Sequence, residues 1–160
     1  MNLSQDEITL GDQPRKIVNE HHKKYYTFGF VRNPWDRLVS SYVNKIVNKF
    51  QHGLYEFWSC NSFKEFVFRI KSIDLTTQDR HIQPQYMFLP EDIDFIGRME
   101  NFQHDIRAIC NTVDLHLPEI LRENTTKHEH YTEYYDDETR EIVAKKFAKD
   151  IELFGYKFGR

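Results

Sequence analysis

Glycine, proline and cysteine are all scarce in this 160-residue chain, which contains six, five and two of them respectively. So little glycine and proline argues against a collagen-like or low-complexity chain, and an aromatic share of 15% indicates a packed globule instead. The two cysteines, Cys60 and Cys110, form no CxxC or Cys/His spacing, which argues against a zinc site or a disulfide framework. The length is typical of one compact domain.

A long apolar run and a strong excess of one charge are also missing. No stretch approaches the roughly 20 apolar residues that span a bilayer, and residues 1–24 are polar and lack a signal-peptide core. As written, the chain is predicted to be soluble, and its compartment is not defined by these residues. The net charge of -3 argues against a nucleic-acid partner, because phosphate-backbone binding needs clustered Lys and Arg in excess.

The apolar periodicity predicts alternating strands and helices after a polar lead-in over residues 1–24. Residues 25–31 are apolar on both faces, which is typical of an interior strand in an α/β sheet that is covered on both sides. Asn33 and Pro34 then favour a helix start, and the apolar spacing predicts a helix that continues to Phe50.

The rest of the chain continues this alternation without a linker or an internal repeat. The predicted elements are a helix capped by Ser62 and Glu65, an edge strand Tyr86–Leu89, a strand Ile93–Gly97, a helix from Phe102 to Val113, a helical turn at Pro118, a polar loop over residues 122–132 and a last helix from Asp136 to about Leu153. The aromatic residues from 154 to 158 are expected to fold back onto the body of the domain.

Arg32 stands where the predicted strand ends and the helix begins. In open parallel sheets ligands bind at this carboxyl edge, and a helix N-terminus offers unpaired N–H groups and the positive end of its dipole. A guanidinium adds five donors in a fixed fork. The residues therefore predict an anion site, and the alternative is an ion pair of Arg32 with Asp36 that only holds the corner together.

Residues Val31–Ser40, with the sequence VRNPWDRLVS, resemble the segment that binds the 3′-phosphate of the sulfate donor 3′-phosphoadenosine 5′-phosphosulfate (PAPS) in Golgi-type carbohydrate sulfotransferases and their bacterial relatives. Later stretches are similar in the same order: His81–Gln85, Asp94–Glu100, Asn124–Thr126 with Tyr131 and Tyr135, and Asp150–Tyr156. Together these motifs cover the chain from residue 25 to Tyr156.

The resemblance implies an α/β fold with a parallel sheet like that of P-loop nucleoside triphosphatases, flanked by helices and incomplete at the N-terminus. Residues 25–160 would form this partial sulfotransferase-like domain. Arg32 is assigned a charged contact with the 3′-phosphate and Ser40 a hydroxyl hydrogen bond, while no metal and no catalytic residue is assigned. The implied reaction moves a sulfuryl group from PAPS to a hydroxyl of a carbohydrate acceptor.

Other polar residues near these motifs are interpreted as structural. Arg37 is expected to tie the helix to the core, and Asp36 to complement the positive helix start. His128 and His130 lack a third metal ligand and are expected on a solvated loop. Three of these positions keep a functional alternative: His81, in an irregular loop, could approach donor or acceptor, Arg98, at a strand end, could help to position the donor, and the loop Asn124–Lys127 could close over the nucleotide. The structural group comprises Asp36, Arg37, His81, Arg98, Glu100, His128 and His130.

A Lys- and Gly-rich loop for the 5′-phosphosulfate, which the relatives carry ahead of the Arg32 segment, is missing from the sequence. The glycines stand at 11, 29, 53, 97, 155 and 159, none in a Gly-x-x-x-x-Gly-Lys setting. We therefore expect either the carboxyl-terminal portion of a longer enzyme or a catalytically inactive nucleotide-binding or interaction domain that retains only the 3′-phosphate site. A small-molecule kinase is disfavoured because no Walker lysine is present.

Two expectations follow from a portion of this kind. The membrane or Golgi association of the relatives would need an N-terminal anchor outside these residues. A missing first strand would expose a sheet edge, which predicts association between copies of the chain.

Overall fold

The computed structural model describes residues 25–50, 53–116 and 128–160. The strands and α-helices of this part follow in the order β1 (Phe28–Val31), α1 (Pro34–Tyr42), α2 (Phe63–Lys71), β2 (Phe95–Arg98), α3 (Phe102–Thr112), α4 (Asp137–Lys146) and α5 (Ala148–Phe154). A π-helical turn over Val43–Val47 continues α1, and short 3₁₀ turns cover Tyr55–Phe57, Leu75–Thr77, Gln85–Phe88, Met99–Asn101 and Tyr131–Tyr134.

The three predicted helix starts are confirmed, because each cap side chain accepts a hydrogen bond from the first turn of its helix. Asn33 caps α1, Ser62 caps α2 and Asp136 caps α4. The capping box predicted for α2 is only half formed. Ser62 accepts from the Glu65 N–H at 3.1 Å, whereas the Glu65 carboxylate accepts from the Asn61 N–H at 2.9 Å rather than from Ser62.

The two strands are parallel and adjacent, which confirms a mixed α/β fold with a parallel sheet. Val31 is opposite Arg98 in the register, so the carboxyl ends of both strands lie at the same edge. Gly97 pairs with Phe30, and a Cβ atom on Gly97 would lie 2.5 Å from the Phe30 ring. The absence of a side chain at Gly97 therefore leaves room for the Phe30 ring of the neighbouring strand.

The hydrophobic core lies where α1, α2 and α4 pack against one another. The apolar faces of these helices meet there with the 3.6-residue periodicity seen in the sequence. The most deeply buried residues of this core are Val31, Leu38, Val39, Leu54, Phe57, Phe66, Val67, Ile70, Ile82, Val143 and Phe147. Helix α1 therefore has one face in the core, and only its flanks are left for polar contacts.

Two strand predictions need correction. Residues 86–89 do not form an edge strand, because Gln85–Phe88 is a 3₁₀ turn. The expectation that β1 is covered on both faces is wrong at Phe28, which is 42% exposed, and within the described residues β1 pairs only with β2. The second strand begins at Phe95, two residues later than predicted, and ends at Arg98.

Two helix ends also differ from the prediction. Helix α1 leaves α-helical geometry at Val43, where the π-helical turn begins, instead of continuing to Phe50. The long last helix is two helices, since Phe147 adopts φ -109° and ψ 23° between α4 and α5. The fold-back of the last aromatics is confirmed, with Phe154 and Tyr156 buried.

Several predictions lie outside the described residues. These are the polar lead-in over residues 1–24, the helical turn at Pro118 and the loop Asn124–Lys127. Within residues 25–50, 53–116 and 128–160, none of the helices combines the length and apolar character that a membrane span requires.

Candidate anion-binding site at the start of helix α1

The corner between β1 and α1 is fixed by the buried side chain of Asn33. Its Oδ1 accepts from the Trp35 N–H at 3.1 Å, which caps the helix, and its Nδ2 donates to the carbonyls of Lys157 and Arg160, each at 3.2 Å. Its backbone N–H donates to Glu100 Oε1 at 2.7 Å. The helix start is therefore held from two distant parts of the chain, Glu100 and the carboxyl-terminal segment.

The backbone of Arg32 is held by one side chain, that of Gln85. The Arg32 N–H donates to Gln85 Oε1 at 2.9 Å, and Gln85 Nε2 donates to the Arg32 carbonyl at 2.8 Å. Gln85 is held in turn by Asp150, whose carboxylate accepts from the Gln85 N–H at 2.7 Å. The segment that follows β1 thus leaves the sheet edge in a defined direction.

The Arg32 side chain is only partly engaged by the protein. Its Nε forms an ion pair with Asp36 Oδ2 at 2.6 Å, and the side chain is 30% exposed. Its two terminal nitrogens make no hydrogen bond or ion pair to any residue that the structure describes. The ion pair considered from the sequence is therefore present, and it leaves the outer edge of the fork, with four N–H groups, for another acceptor.

Ser40 lies one helical turn beyond Asp36, on the same flank of α1. Residues four apart on a helix are neighbours, and Asp36 in turn contacts Arg32, so the three side chains form one row. Ser40 is half-buried, and its hydroxyl has no hydrogen-bond partner in the described part of the chain. Asp36, which binds Arg32, and Ser40 therefore share one flank of α1. The role of Arg32 and Ser40 in binding a ligand stays a prediction.

Arg37 is structural, as predicted. Its Nη1 donates to the Gln83 carbonyl and its Nη2 to the Arg80 carbonyl, both at 2.7 Å. Burial lowers the pKa of Arg37 to about 10, against the opposing effect of the Asp150 charge. Both ends of this guanidinium are therefore occupied by the loop that packs along α1.

Arg98 and Glu100 are architectural, as predicted. The Arg98 guanidinium donates to the Phe154 carbonyl and lies over the Tyr156 ring, 4.6 Å from its centre. Glu100 accepts from the Asn33 N–H and, at 3.1 Å, from the Tyr156 hydroxyl. Both side chains connect the sheet edge to the carboxyl-terminal segment.

The histidines are also accounted for by protein contacts. His81 Nδ1 lies 2.5 Å from Asp79 Oδ1, and its carbonyl accepts from the Ser41 hydroxyl at 3.0 Å, which makes it part of the loop that packs on α1. Burial lowers the pKa of His81, against the opposing effect of Asp79. His128 and His130 lie in the loop before Tyr131, and the described residues contain no group of three or more metal-ligating side chains.

Gln85 and Asp150 are the functional-site neighbours that the sequence did not single out. Asp150 is 0% exposed, although it lies between Phe147 and Ile151 on the inward face of α5, where an apolar residue is expected. A carboxylate at such a position is the signal that a buried polar network is present, because an unpaired buried charge is very costly. Gln85 stands within one of the stretches that carried the family resemblance.

Two surface cavities lie away from this corner. One, of about 330 Å³, lies between the loop Ile73–Thr76 and the α4–α5 junction, and the other, of about 510 Å³, lies beside α2 at Phe68 and Arg69. Neither of them is lined by Arg32 or Ser40.

The chain matches the model of the sulfotransferase family over residues 3–157. Because this match covers almost the whole chain, the chain belongs to the sulfotransferase family. It is 25% identical over 182 aligned positions to carbohydrate sulfotransferase 14 of Danio rerio, an alignment that covers 94% of this chain and 49% of the relative. The chain thus spans about half the length of that curated relative. No solved structure matches it significantly.

Proposed function

We propose that this chain forms the part of a PAPS-dependent sulfotransferase that binds the 3′-phosphate of the donor, and that the enzyme sulfates a hydroxyl of a carbohydrate. Membership of the sulfotransferase family supports the reaction class, and the name of the Danio rerio relative supports a carbohydrate acceptor. The observation that carries the site is that the outer edge of the Arg32 guanidinium and the Ser40 hydroxyl, each of them next to Asp36 along the chain or the helix, have no partner among the described residues.

The residues fit a phosphate monoester on chemical grounds. A guanidinium fork matches the oxygens of a phosphate, and charge-assisted hydrogen bonds of this kind contribute about 1.5 to 3 kcal/mol each. The Ser40 hydroxyl adds one neutral donor on the same flank. When bound, PAPS supplies the sulfuryl group that the acceptor hydroxyl receives, and the role of Arg32 and Ser40 is to hold the ribose end of the donor. The carboxyl edge of the parallel strands β1 and β2, where Arg32 follows β1, is compatible with a P-loop-like sheet.

Calorimetric titration with adenosine 3′,5′-bisphosphate tests this assignment. We expect the wild type to bind and R32A to lose about 10- to 100-fold in affinity, because one strong charged contact is removed. R107A is the matched control, since Arg107 is exposed on α3 and makes no hydrogen bond or ion pair with another described residue. Equal binding by the wild type and R32A would remove the assignment.

A nucleotide-binding or interaction domain without transfer chemistry is the second candidate, because no Lys- and Gly-rich phosphosulfate loop is present in the 160 residues. Transfer of labelled sulfate from PAPS to glycan acceptors separates the two. Bisphosphate binding without transfer favours the second candidate, whereas transfer that R32A weakens favours the enzyme. Magnesium ATP as a competitor tests the kinase alternative, which predicts that it displaces the bisphosphate.

A further inference from the structure

We propose that Gln85 is a positioning residue for the anion site, and that Asp150 acts on Arg32 through it. The proposal rests on the proposed function, since it assumes that Arg32 is the phosphate ligand. It adds two residues that touch no ligand but decide where the Arg32 side chain leaves the backbone. The juxtaposition that carries it is a buried carboxylate, a buried amide and the backbone of Arg32 in direct succession.

The Gln85 amide binds both polar groups of the Arg32 backbone at once. Oε1 accepts from the N–H at 2.9 Å and Nε2 donates to the carbonyl at 2.8 Å, so one planar group holds one residue at two points. The reverse orientation of the amide would place donor against donor and acceptor against acceptor. Gln85 is 8% exposed, which leaves little room for another rotamer. This pairing fixes the peptide planes on either side of Arg32 and hence the direction of its Cα–Cβ bond.

Asp150 fixes the position of Gln85. Its Oδ2 accepts from the Gln85 N–H at 2.7 Å and its Oδ1 from the Tyr86 N–H at 2.9 Å. The N–H groups of Gln85 and Tyr86 stand at the start of the 3₁₀ turn Gln85–Phe88. The first N–H groups of a helical turn have no acceptor within that turn. Helix α5 therefore sets the place of the turn, and the turn sets the place of Arg32.

Arg32 is held at its backbone and at its Nε, but its two terminal nitrogens are not held by any residue that the structure describes. The two hydrogen bonds from the Gln85 amide, called the Gln85 clamp below, fix the Arg32 backbone, and Asp36 Oδ2 binds Arg32 Nε at 2.6 Å. Binding of a phosphate then requires little further ordering of the side chain, which lowers the entropic cost of binding. Without the Gln85 clamp the Arg32 backbone is free to shift. A shift of about 1 Å would strongly weaken a directional contact such as that between the guanidinium and a phosphate.

Gln83 provides a matched control two positions away. Its side chain donates to the Thr76 carbonyl at 2.9 Å in an exposed loop, and it has no contact with Arg32. The variants Q85M and Q83M therefore make the same chemical change in the same loop. Only the first removes the two bonds to the Arg32 backbone, and methionine keeps most of the buried volume.

Two measurements on the full 160-residue chain test the proposal. Amide hydrogen exchange by NMR reports the Arg32 N–H, and we expect it to accelerate at least tenfold in Q85M and to stay unchanged in Q83M. Calorimetry compares adenosine 3′,5′-bisphosphate with adenosine 5′-phosphate. We expect Q85M to lose about tenfold in affinity for the bisphosphate and nothing for the monophosphate, because only the former has the group that Arg32 binds.

Each outcome decides the proposal. Equal losses for both nucleotides would show a general loosening of the fold, and equal behaviour of Q85M and Q83M would show that the clamp does not matter; either result overturns the positioning role. D150N serves as the second variant if Q85M does not fold, with the same direction of change expected. If the wild type does not bind the bisphosphate, the proposed function itself fails, while the Arg32 exchange rate still reports whether the clamp exists.

Discussion

Two arginine–serine pairs lie at helix α1, Arg37 with Ser41 inside the helix and Arg32, which precedes it, with Ser40, and their surroundings differ. On one flank both ends of the Arg37 guanidinium bind backbone carbonyls, and the Ser41 hydroxyl donates to carbonyls at 3.0 Å. On the other flank Arg32 binds only through Nε, and Ser40 has no hydrogen-bond partner among the described residues. The same residue types thus serve as scaffold on one side and remain available on the other.

The difference shows that residue type and spacing do not decide which arginine is a ligand. Each guanidinium has five N–H donors, and what differs is how many of them bind acceptors within the protein. Arg37 lies near the charges of Asp150 and Arg32 and donates to carbonyls of the 80–83 loop, whereas the Arg32 side chain is paired with Asp36. The following predictions, together with the R32A titration, test whether the two flanks are as distinct as the contacts indicate.

Arg37→Met is expected to have the largest effect, a loss of about 3 kcal/mol in the free energy of unfolding. The substitution leaves two carbonyls without their charged donors and leaves the buried Asp150 without its neighbouring positive charge. Urea denaturation of the variant measures the loss. Arg32→Met is the control at the other arginine and is expected to cost less than about 1 kcal/mol, as a partly exposed ion pair does. Similar losses in both variants would erase the distinction.

Alanine substitutions of the two serines are expected to affect different quantities: Ser41 the free energy of unfolding and Ser40 the free energy of binding, by about 1 kcal/mol each. Ser41→Ala removes the hydroxyl that donates to the carbonyls of Arg37 and His81, so it lowers the free energy of unfolding by about 1 kcal/mol and leaves bisphosphate affinity unchanged. Ser40→Ala is expected to lower affinity about fivefold to tenfold and to change stability by less than about 0.5 kcal/mol. Denaturation and titration of both variants check this, and the reverse pattern would assign the ligand role to Ser41.

The pH dependence of stability should come from the scaffold flank and be the smallest effect. Burial lowers the pKa of His81 below its ordinary 6.5, against Asp79 and in the same direction as the charges of Lys45 and Arg80. On acidification the unfolded chain binds a proton at this position first, so the free energy of unfolding falls as the pH drops from about 6.5 to the pKa of the folded state. The slope is at most about 1.4 kcal/mol per pH unit.

His81→Asn removes this contribution. Urea denaturation at several pH values between about 5 and 7.5 should give a flatter profile for the variant than for the wild type. Subtracting the two profiles cancels the other histidines. A variant profile as steep as that of the wild type would mean that His81 titrates alike in both states and is not held by its loop.

Local signals in the sequence predicted the helix starts well. A cap side chain and the first turn that it binds are neighbours along the chain, so Asn33, Ser62 and Asp136 could be found without knowledge of the fold. The row formed by Arg32, Asp36 and Ser40 follows from helix geometry for the same reason. What a residue does within about two turns of its own position is readable from sequence.

Distant partners account for the predictions that failed. Residues 86–89 have the apolar composition of a strand, but the carboxylate of Asp150, 64 and 65 positions away, binds the N–H groups of Tyr86 and Gln85 and favours a 3₁₀ turn. The clamp on Arg32 comes from 53 positions away. A periodic pattern also contains no signal for the single residue Phe147 that leaves helical dihedral angles. These features depend on which parts of the chain meet in three dimensions.

The buried Asn33 amide has a consequence for the order of folding. It joins the start of α1 to the carbonyls of residues 157 and 160, across separations of 124 and 127 positions. Contacts that close so long a stretch of chain form late, since their entropic cost precedes their reward. The corner that presents Arg32 is thus completed only when the tail docks, and proteolytic trimming of residues 157–160 would remove both carbonyl acceptors of Asn33 Nδ2 together with the Phe158 ring that packs on Trp35.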